Sequence, residues 1–254
     1  MVFRLDNSGA QHTNAMIRAA FVTVITFAYI LIVGGPSFLF ALVSGNTDPV
    51  YHVGQWGAAM AVWLSGATVK AAGLEKIPQN QAVVFMPNHQ SNFDPPALVC
   101  RLPPVLVLVK KEFFRVPLLS WAIRLRGFIS VDRKNRPSAI AAVERAARSL
   151  QSGKSFLAFP EGTRSADGRL QPFKKGVFIM ALKAGAPIVP ISISGSHRVM
   201  PKGKWIIRRG TVRITVHEPI PTAGCGLDDM DRLIEKVRAA ILSGLDEDEQ
   251  PVLP

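Results

Sequence analysis

The stretch "PNHQSNFDPP", Pro87 to Pro96, sets an imidazole and a carboxylate five residues apart, at His89 and Asp94. Two roles fit these residue types. An imidazole whose tautomer is held by a carboxylate is a general base, able to take the proton of an attacking hydroxyl. Equally, Asp94 followed by Pro95 and Pro96 has the composition of a helix N-cap with prolines in the first turn, and "ALVCRL" would carry the helix on. Residues five apart do not share a face of an ideal helix, so the pair can meet only if a loop folds His89 back toward Asp94. The spacing alone leaves both roles open.

Other polar clusters stand in a pattern that suggests where His89 and Asp94 belong. After Lys70 the chain alternates short apolar runs with helical ones. "AVVFM" (82–86), "VLVLV" (105–109), "FISV" (128–131), "SFLAF" (155–159) and "IVPISI" (188–193) read as buried strands. "PSAIAAVERAARSLQSG" begins with Pro137, puts Ile140, Val143, Ala147 and Leu150 on one face and stops at Gly153, and "KKGVFIMALKAG" ends likewise at Gly185. Strand alternating with helix predicts an α/β fold with a mainly parallel sheet flanked by helices. Such sheets gather ligands at the carboxyl ends of their strands. His89 and Asp94 follow the first run, Lys110 and Lys111 the second, Arg133 the third, and "PEGTRS", holding Glu161, Gly162, Thr163 and Arg164, the fourth. Parallel strands would bring all four clusters to one crevice.

The 254 residues suffice for one domain with an appendage. Charge is uneven: residues 101–217 carry 23 Lys/Arg against five Asp/Glu. That excess calls for an anionic partner, either nucleic acid, an anionic lipid surface or a phosphorylated substrate, unless it is a solvated basic face. The basic stretch "KGKWIIRRGTVR" has one aromatic, Trp205, and no nucleic-acid reader motif. Cys100 and Cys225 are far apart, and no Cys or His lies at metal-ligand spacing, so neither a zinc site nor a disulfide framework is expected. Between Arg18 and Lys70 the only charged residue is Asp48. Two uncharged runs, Ala19 to Val43 and Val50 to Val69, read as a membrane-attached helical hairpin, spanning or interfacial, in preference to a signal peptide or a buried core hairpin. "GGP" at Gly34 to Pro36 interrupts the first run. The expected division is an anchoring segment 1–70, a catalytic domain 71–245 and a disordered acidic tail 246–254.

Four blocks, in order, resemble those of the glycerolipid acyltransferases, the family typified by 1-acylglycerol-3-phosphate acyltransferase: "NHQSNFD", "GFISVDR", "FPEGTRS" and "IVPISI". They span about residues 82–195, and "KKEF" and "PFKKGVFIMALKAGAPIVP" add to the likeness, with Phe113 where the family commonly has Leu. The resemblance implies transfer of an acyl group from acyl-CoA or acyl carrier protein to the free hydroxyl of 1-acyl-sn-glycerol 3-phosphate, giving phosphatidic acid in phospholipid biosynthesis. It implies no cofactor beyond that co-substrate, no metal, no nucleic-acid partner, and a place at a membrane, in a bacterium the inner membrane with the catalytic domain on its cytoplasmic face. Glycerol 3-phosphate or another lysolipid stands as the alternative acceptor, and a membrane-anchored nucleic-acid-binding protein as the alternative of another class.

The expected chemistry needs a base, because an alcohol holds its proton far more tightly than imidazole. His89 is the candidate, with Asp94 orienting it. No covalent nucleophile is required, and the chain has no G-x-S-x-G elbow. Backbone amides near Glu161, Gly162 and Thr163 are candidate oxyanion donors. Arg133 is the first choice for the acceptor's phosphate, with Lys110 and Arg164 next. By resemblance Glu161 helps shape the acceptor site by ordering the arginines, unless it only pairs with Arg164.

Overall fold

A computed structural model describes residues 8–111, 120, 124–132 and 135–251. Arg133, Phe113 and the last three residues of the tail lie outside the described residues, as does the side chain of Lys110. The chain opens with α1 (Ser8–Tyr29), one π-helical turn (Ile30–Gly34), α2 (Gly35–Ser44) and α3 (Asp48–Ser65). The "GGP" interruption does not break the helix. Pro36 falls in the first turn of α2, where a missing N–H costs little, and the π-helical turn absorbs the change of register. Gly45, at φ +72°, ends α2 and lets the chain reverse into α3. The hairpin closes tightly because residue 57 is glycine: a Cβ there would lie 2.8 Å from the Tyr29 ring, whose hydroxyl donates to Val53 O at 2.9 Å.

Of the two uncharged runs, only the first forms a helix long and apolar enough to cross a membrane by length and composition. It spans Gly9–Ser44, and an 18-residue stretch within it has mean hydropathy 2.2. α3 is tied instead to the domain: Tyr51 Oη donates to Pro103 O and Gln55 Nε2 to Val99 O. The inner side of α1 is fixed as well, with Ala15, Ala19 and Val22 buried and Ile207 N donating to Ala15 O. Its outer side shows Ile17, Phe21, Val24 and Phe27 to the surroundings, and the π-helical turn continues this apolar side with Ile32.

Seven strands form one sheet in the order β1-β7-β6-β2-β5-β3-β4. They are β1 (Thr68–Ala72), β2 (Val84–Pro87), β3 (Leu106–Lys110), β4 (Ile129–Val131), β5 (Phe156–Leu157), β6 (Ile188–Ser194) and β7 (Thr211–Val216). All five expected strands are present and mutually parallel. The two not expected, β1 and β7, pair parallel with each other, and β7 runs antiparallel to β6. Alternation in β2 sends Phe85 to one face, with Val189, Ile191, Ala97 and Val62, and Val84 and Met86 to the other. That second face packs on α5 (Arg136–Gln151), α6 (Lys175–Ala184) and α7 (Met230–Leu242); α4 (Asp94–Val99) and the hairpin cover the first. The buried side of α5 is offset from the expected stripe. Ala142, Ala146, Ala147 and Leu150 are buried while Ile140 is 54% exposed, because small alanines let α5 approach α6 closely.

The acidic tail departs from the disorder expected of it. Glu247–Glu249 form a 3₁₀ turn and Glu249 is fully buried, with Leu170 N donating to its carbonyl. Composition alone suggested a solvated segment. What overrides it is a buried set of donors: Gly195 N meets the Glu249 carboxylate and Leu170 N its carbonyl, with exposed pairs of Arg213 and Arg198 to Asp246 and Asp248 around them.

Candidate active site

The fully buried β2 delivers the chain to Asn88. This side chain is 1% exposed and bonds both backbone groups of Ile193: Nδ2 donates to the carbonyl at 2.8 Å, and Oδ1 accepts from the amide at 2.7 Å. It extends the β2–β6 ladder by one rung beyond the strand. The next residue therefore leaves the sheet in a fixed direction.

That residue is His89. Its amide donates to Glu161 Oε1 at 2.5 Å, and its carbonyl accepts from Ser165 N at 2.7 Å, so the "PEGTRS" loop grips its backbone from both sides. Its ring stacks on Phe159 with centroids 3.9 Å apart. Nδ1 lies 2.8 Å from Asp94 Oδ2, and Asp94 is fully buried. The same Oδ2 accepts the amides of Gln90 and Ser91, each at 2.8 Å. Asp94 is the first residue of α4, with Pro95 and Pro96 in its first turn, but the N-cap is Phe93, one residue earlier than the capping reading expected, and no side chain caps the helix. The Asp94 carboxylate serves the loop before the helix rather than the helix amides after it. One oxygen thus folds the five-residue loop back and meets the imidazole.

An acceptor-only carboxylate at Nδ1 assigns the proton to that nitrogen. Nε2 then carries the lone pair. Among the described residues it has no partner, and the side chain is 16% exposed. A base held in one tautomer, with its free nitrogen open to the crevice, can take a proton from a bound hydroxyl.

Glu161 is 2% exposed, and its oxygens are taken by the amides of His89 and Gln171. Burial pushes its carboxyl up to about 8, against those two bonds; the charge of Asp94 adds to the rise and that of Arg238 opposes it. Its carboxylate does not pair with Arg164. It holds the His89 backbone instead. The Gly162 amide donates to Phe159 O at 3.1 Å and so is occupied by the turn, which removes it from the candidate oxyanion donors. Gly162 has φ +71°, and a Cβ there would lie 2.9 Å from the Lys174 stem, while Thr163 is exposed.

Half-buried Arg164 makes no ion pair among the described residues, and its carbonyl accepts from Lys202 Nζ at 2.6 Å. Lys110 ends β3 opposite Val131 of β4. Strands lie about 4.8 Å apart, so the end of β3 is about 10 Å from that of β2, and the end of β4 about 14 Å. Arg133 is two residues beyond β4. The strand order sets the "PEGTRS" loop after β5 directly beside His89, and the Lys110 strand one step further out. Among the described residues no His/Cys/Asp/Glu group could hold a metal ion.

Sequence reasoning missed Asn88, Gln90, Phe159 and Lys202. Asn88 and Gln90 flank His89 and are 1% exposed. Polar side chains beside a strand end, in an otherwise apolar setting, were the signal available for them. Nothing in the sequence pairs Lys202 with a loop 38 residues away.

The profile of the family described as Acyltransferase matches residues 68–194. A chloroplastic 1-acyl-sn-glycerol-3-phosphate acyltransferase of Brassica napus is 38% identical over 150 residues, 58% of this chain and 44% of that protein. The chloroplastic LPAT1 of Arabidopsis thaliana is 30% identical over 87% of this chain and 61% of its own length. The chain therefore spans about half the length of these two relatives. The crystal structure of the 1-acyl-sn-glycerophosphate acyltransferase PlsC from Thermotoga maritima superposes with a TM-score of 0.79 at 27% identity, over 93% of this chain and 95% of that one.

Proposed function

Because this chain belongs to the Acyltransferase family, we propose that it moves an acyl group from a thioester to the free hydroxyl of 1-acyl-sn-glycerol 3-phosphate, giving phosphatidic acid. The observation that carries the reading is the 2.8 Å contact between His89 Nδ1 and a fully buried Asp94, which leaves Nε2 without a partner among the described residues. In this mechanism Nε2 takes the proton of the sn-2 hydroxyl as its oxygen attacks the thioester carbonyl. The C–O bond forms, the C–S bond breaks, and the thiolate leaves. A thiol with an ordinary pKa of about 8.5 is a good leaving group, and the imidazolium returns the proton to it. Asp94 orients the ring and stabilises the transient imidazolium.

Arg164 and Lys110 serve the acceptor's phosphate together with Arg133, which the sequence ranks first for that role and which lies outside the described residues. The Glu161 and Thr163 amides are the remaining donors in the "PEGTRS" turn for the oxyanion. The donor is acyl-CoA or acyl carrier protein. We place the hairpin at the membrane interface rather than across the bilayer, because one side of α1 and much of α3 pack on the domain while the opposite side exposes large apolar residues. Lipid acceptors would then enter from the membrane plane.

A panel of acceptors tests the reading: 1-acylglycerol 3-phosphate, glycerol 3-phosphate, lysophosphatidylcholine and monoacylglycerol, each with one radiolabelled acyl-CoA. The expected result is the highest kcat/KM for 1-acylglycerol 3-phosphate. Equal use of monoacylglycerol would remove phosphate recognition from the proposal.

A further inference from the structure

Gln90, next to the proposed base, is the one residue of the 88–94 loop whose side chain bridges two other loops. Its Nε2 donates to Gly168 O at 2.8 Å. Its Oε1 accepts from Ser196 Oγ at 3.2 Å and faces His197 Nδ1 at 3.4 Å. Through its own amide it reaches Asp94 Oδ2. The orientation of the His89–Asp94 pair thus depends on where the 165–170 loop and the turn after β6 stand.

Glu249 ties both. Its main-chain carbonyl accepts Leu170 N at 3.0 Å, and its Oε1 accepts Gly195 N at 2.7 Å and lies 3.3 Å from His197 Nδ1. The loops meet face to face because residue 168 is glycine: a Cβ there would fall 2.6 Å from His197 Nδ1. The carboxylate is fully buried, and an unbonded charge there would cost several kcal/mol. Burial pushes its carboxyl upward, but bonds from His197, Ser194 and the amides of Gly195 and Asp246 outweigh that and hold it below the usual carboxylate range. The neighbouring pairs of Arg198 with Asp246 and Asp248 are exposed and contribute little.

We propose that Glu249 is a positioning residue for acyl transfer, setting the His89–Asp94 loop through Gln90 by joining the two loops that grip the Gln90 amide. The acidic segment at residues 246–249 is then part of the catalytic domain rather than a solvated tail. This inference rests on the acyltransferase reading given above.

The test uses the full chain in detergent–phospholipid micelles, with Glu249→Ala, Glu249→Gln, Gln90→Ala, the Glu249→Ala/Gln90→Ala double variant and Asp248→Asn. Rates are taken per folded protein, and backbone amide exchange is followed at Gln90 and Ser91. Glu249→Ala should lower kcat about tenfold or more, with acceptor and donor KM within about twofold, since Glu249 touches no substrate. Glu249→Gln keeps an acceptor for Gly195 N–H and should recover most of the rate. Asp248→Asn should change it less than twofold. The double variant should be no slower than the slower single one, because both act through one contact chain. Gln90 and Ser91 amides should lose protection in Glu249→Ala while those of β6 keep theirs.

Unchanged kcat per folded molecule, additive losses, or unchanged protection at Gln90 and Ser91 would each overturn the positioning role. A wild-type protein that transfers no acyl group to any lysolipid would defeat the functional reading instead. The exchange data would still decide whether Glu249 orders the loop.

Discussion

Replacing Asp94 by Asn separates orientation from charge, because of how the three donors converge. His89 Nδ1, Gln90 N and Ser91 N all meet Oδ2, whereas Oδ1 is buried with no hydrogen-bond partner among the described residues. An asparagine that puts its carbonyl at the Oδ2 position satisfies all three and keeps the proton on Nδ1. Turned the other way, its NH₂ would face three donors at once. The tautomer should therefore survive, and what is lost is the negative charge beside the imidazolium. A hydrogen bond to a charged group contributes about 1.5–3 kcal/mol and a neutral one about 0.5–1.5, so the transition state should lose about 1–1.5 kcal/mol. That is a fall in kcat/KM of roughly 5- to 15-fold. The buried NH₂ left at the Oδ1 position should cost a further ~1–3 kcal/mol of folding stability without affecting the rate per folded molecule. Steady-state assay of purified Asp94→Asn, paired with a thermal melt, reads both. A loss beyond about a thousandfold in a folded variant would mean that the amide turns and imposes the wrong tautomer, as in the serine protease triad. No loss at all would mean that the carboxylate does not stabilise an imidazolium.

Glu161 gives a pH-dependent prediction. Its carboxyl is raised from 4.5 to about 8, so the native state holds a proton that the unfolded chain has released. Its stabilising contribution is fully present below about pH 4.5 and is lost as pH rises through about 8, at about 1.4 kcal/mol per pKa unit. Melting temperature should fall more steeply from about pH 5 to about pH 9 in the wild type than in Glu161→Gln, and parallel curves would contradict the buried protonated state. Asn88→Ala leaves the Ile193 amide and carbonyl without their side-chain partner, so denaturant titration should show a loss of about 2–5 kcal/mol; a loss below about 1 would mean that water or relaxation replaces the rung. The triple change Phe21→Asp, Phe27→Asp and Ile32→Asp, on the outer side of α1 and the π-helical turn that follows it, should release the protein from phospholipid vesicles in flotation assays, and unaltered flotation would show that this side does not meet lipid.

The fold was readable wherever a local pattern carries its own period. Five parallel strands could be found because their apolar runs are bounded by turns. β7, "TVRITV", alternates with period two and was equally visible in principle; it was read instead for its charge. β1 was hidden because "TVKAA" directly follows an apolar helix, and only its ladder with β7 marks it as a strand. At the site, the residue types and strand-end positions identified His89 and Asp94, but not that a single oxygen folds the loop. Glu161 was misread because an acidic residue beside an anionic substrate suggests charge pairing, whereas its partners are backbone amides invisible in a one-letter sequence. The tail fails for the same reason in reverse: its acidity predicts solvent exposure, and its order comes from Gly195, Leu170 and Arg198, all distant in sequence.

The most direct test of the proposed chemistry is the rate of phosphatidic acid formation from 1-acyl-sn-glycerol 3-phosphate and a radiolabelled acyl-CoA, for the wild type and for His89→Ala purified under identical conditions. His89→Ala removes the ring that stacks on Phe159 but leaves the backbone bonds to Glu161 and Ser165 in place, so the variant should fold. Steady turnover by the wild type with a loss of about a thousandfold or more in His89→Ala is the predicted result. A folded His89→Ala protein that turns over at near wild-type rate would contradict it.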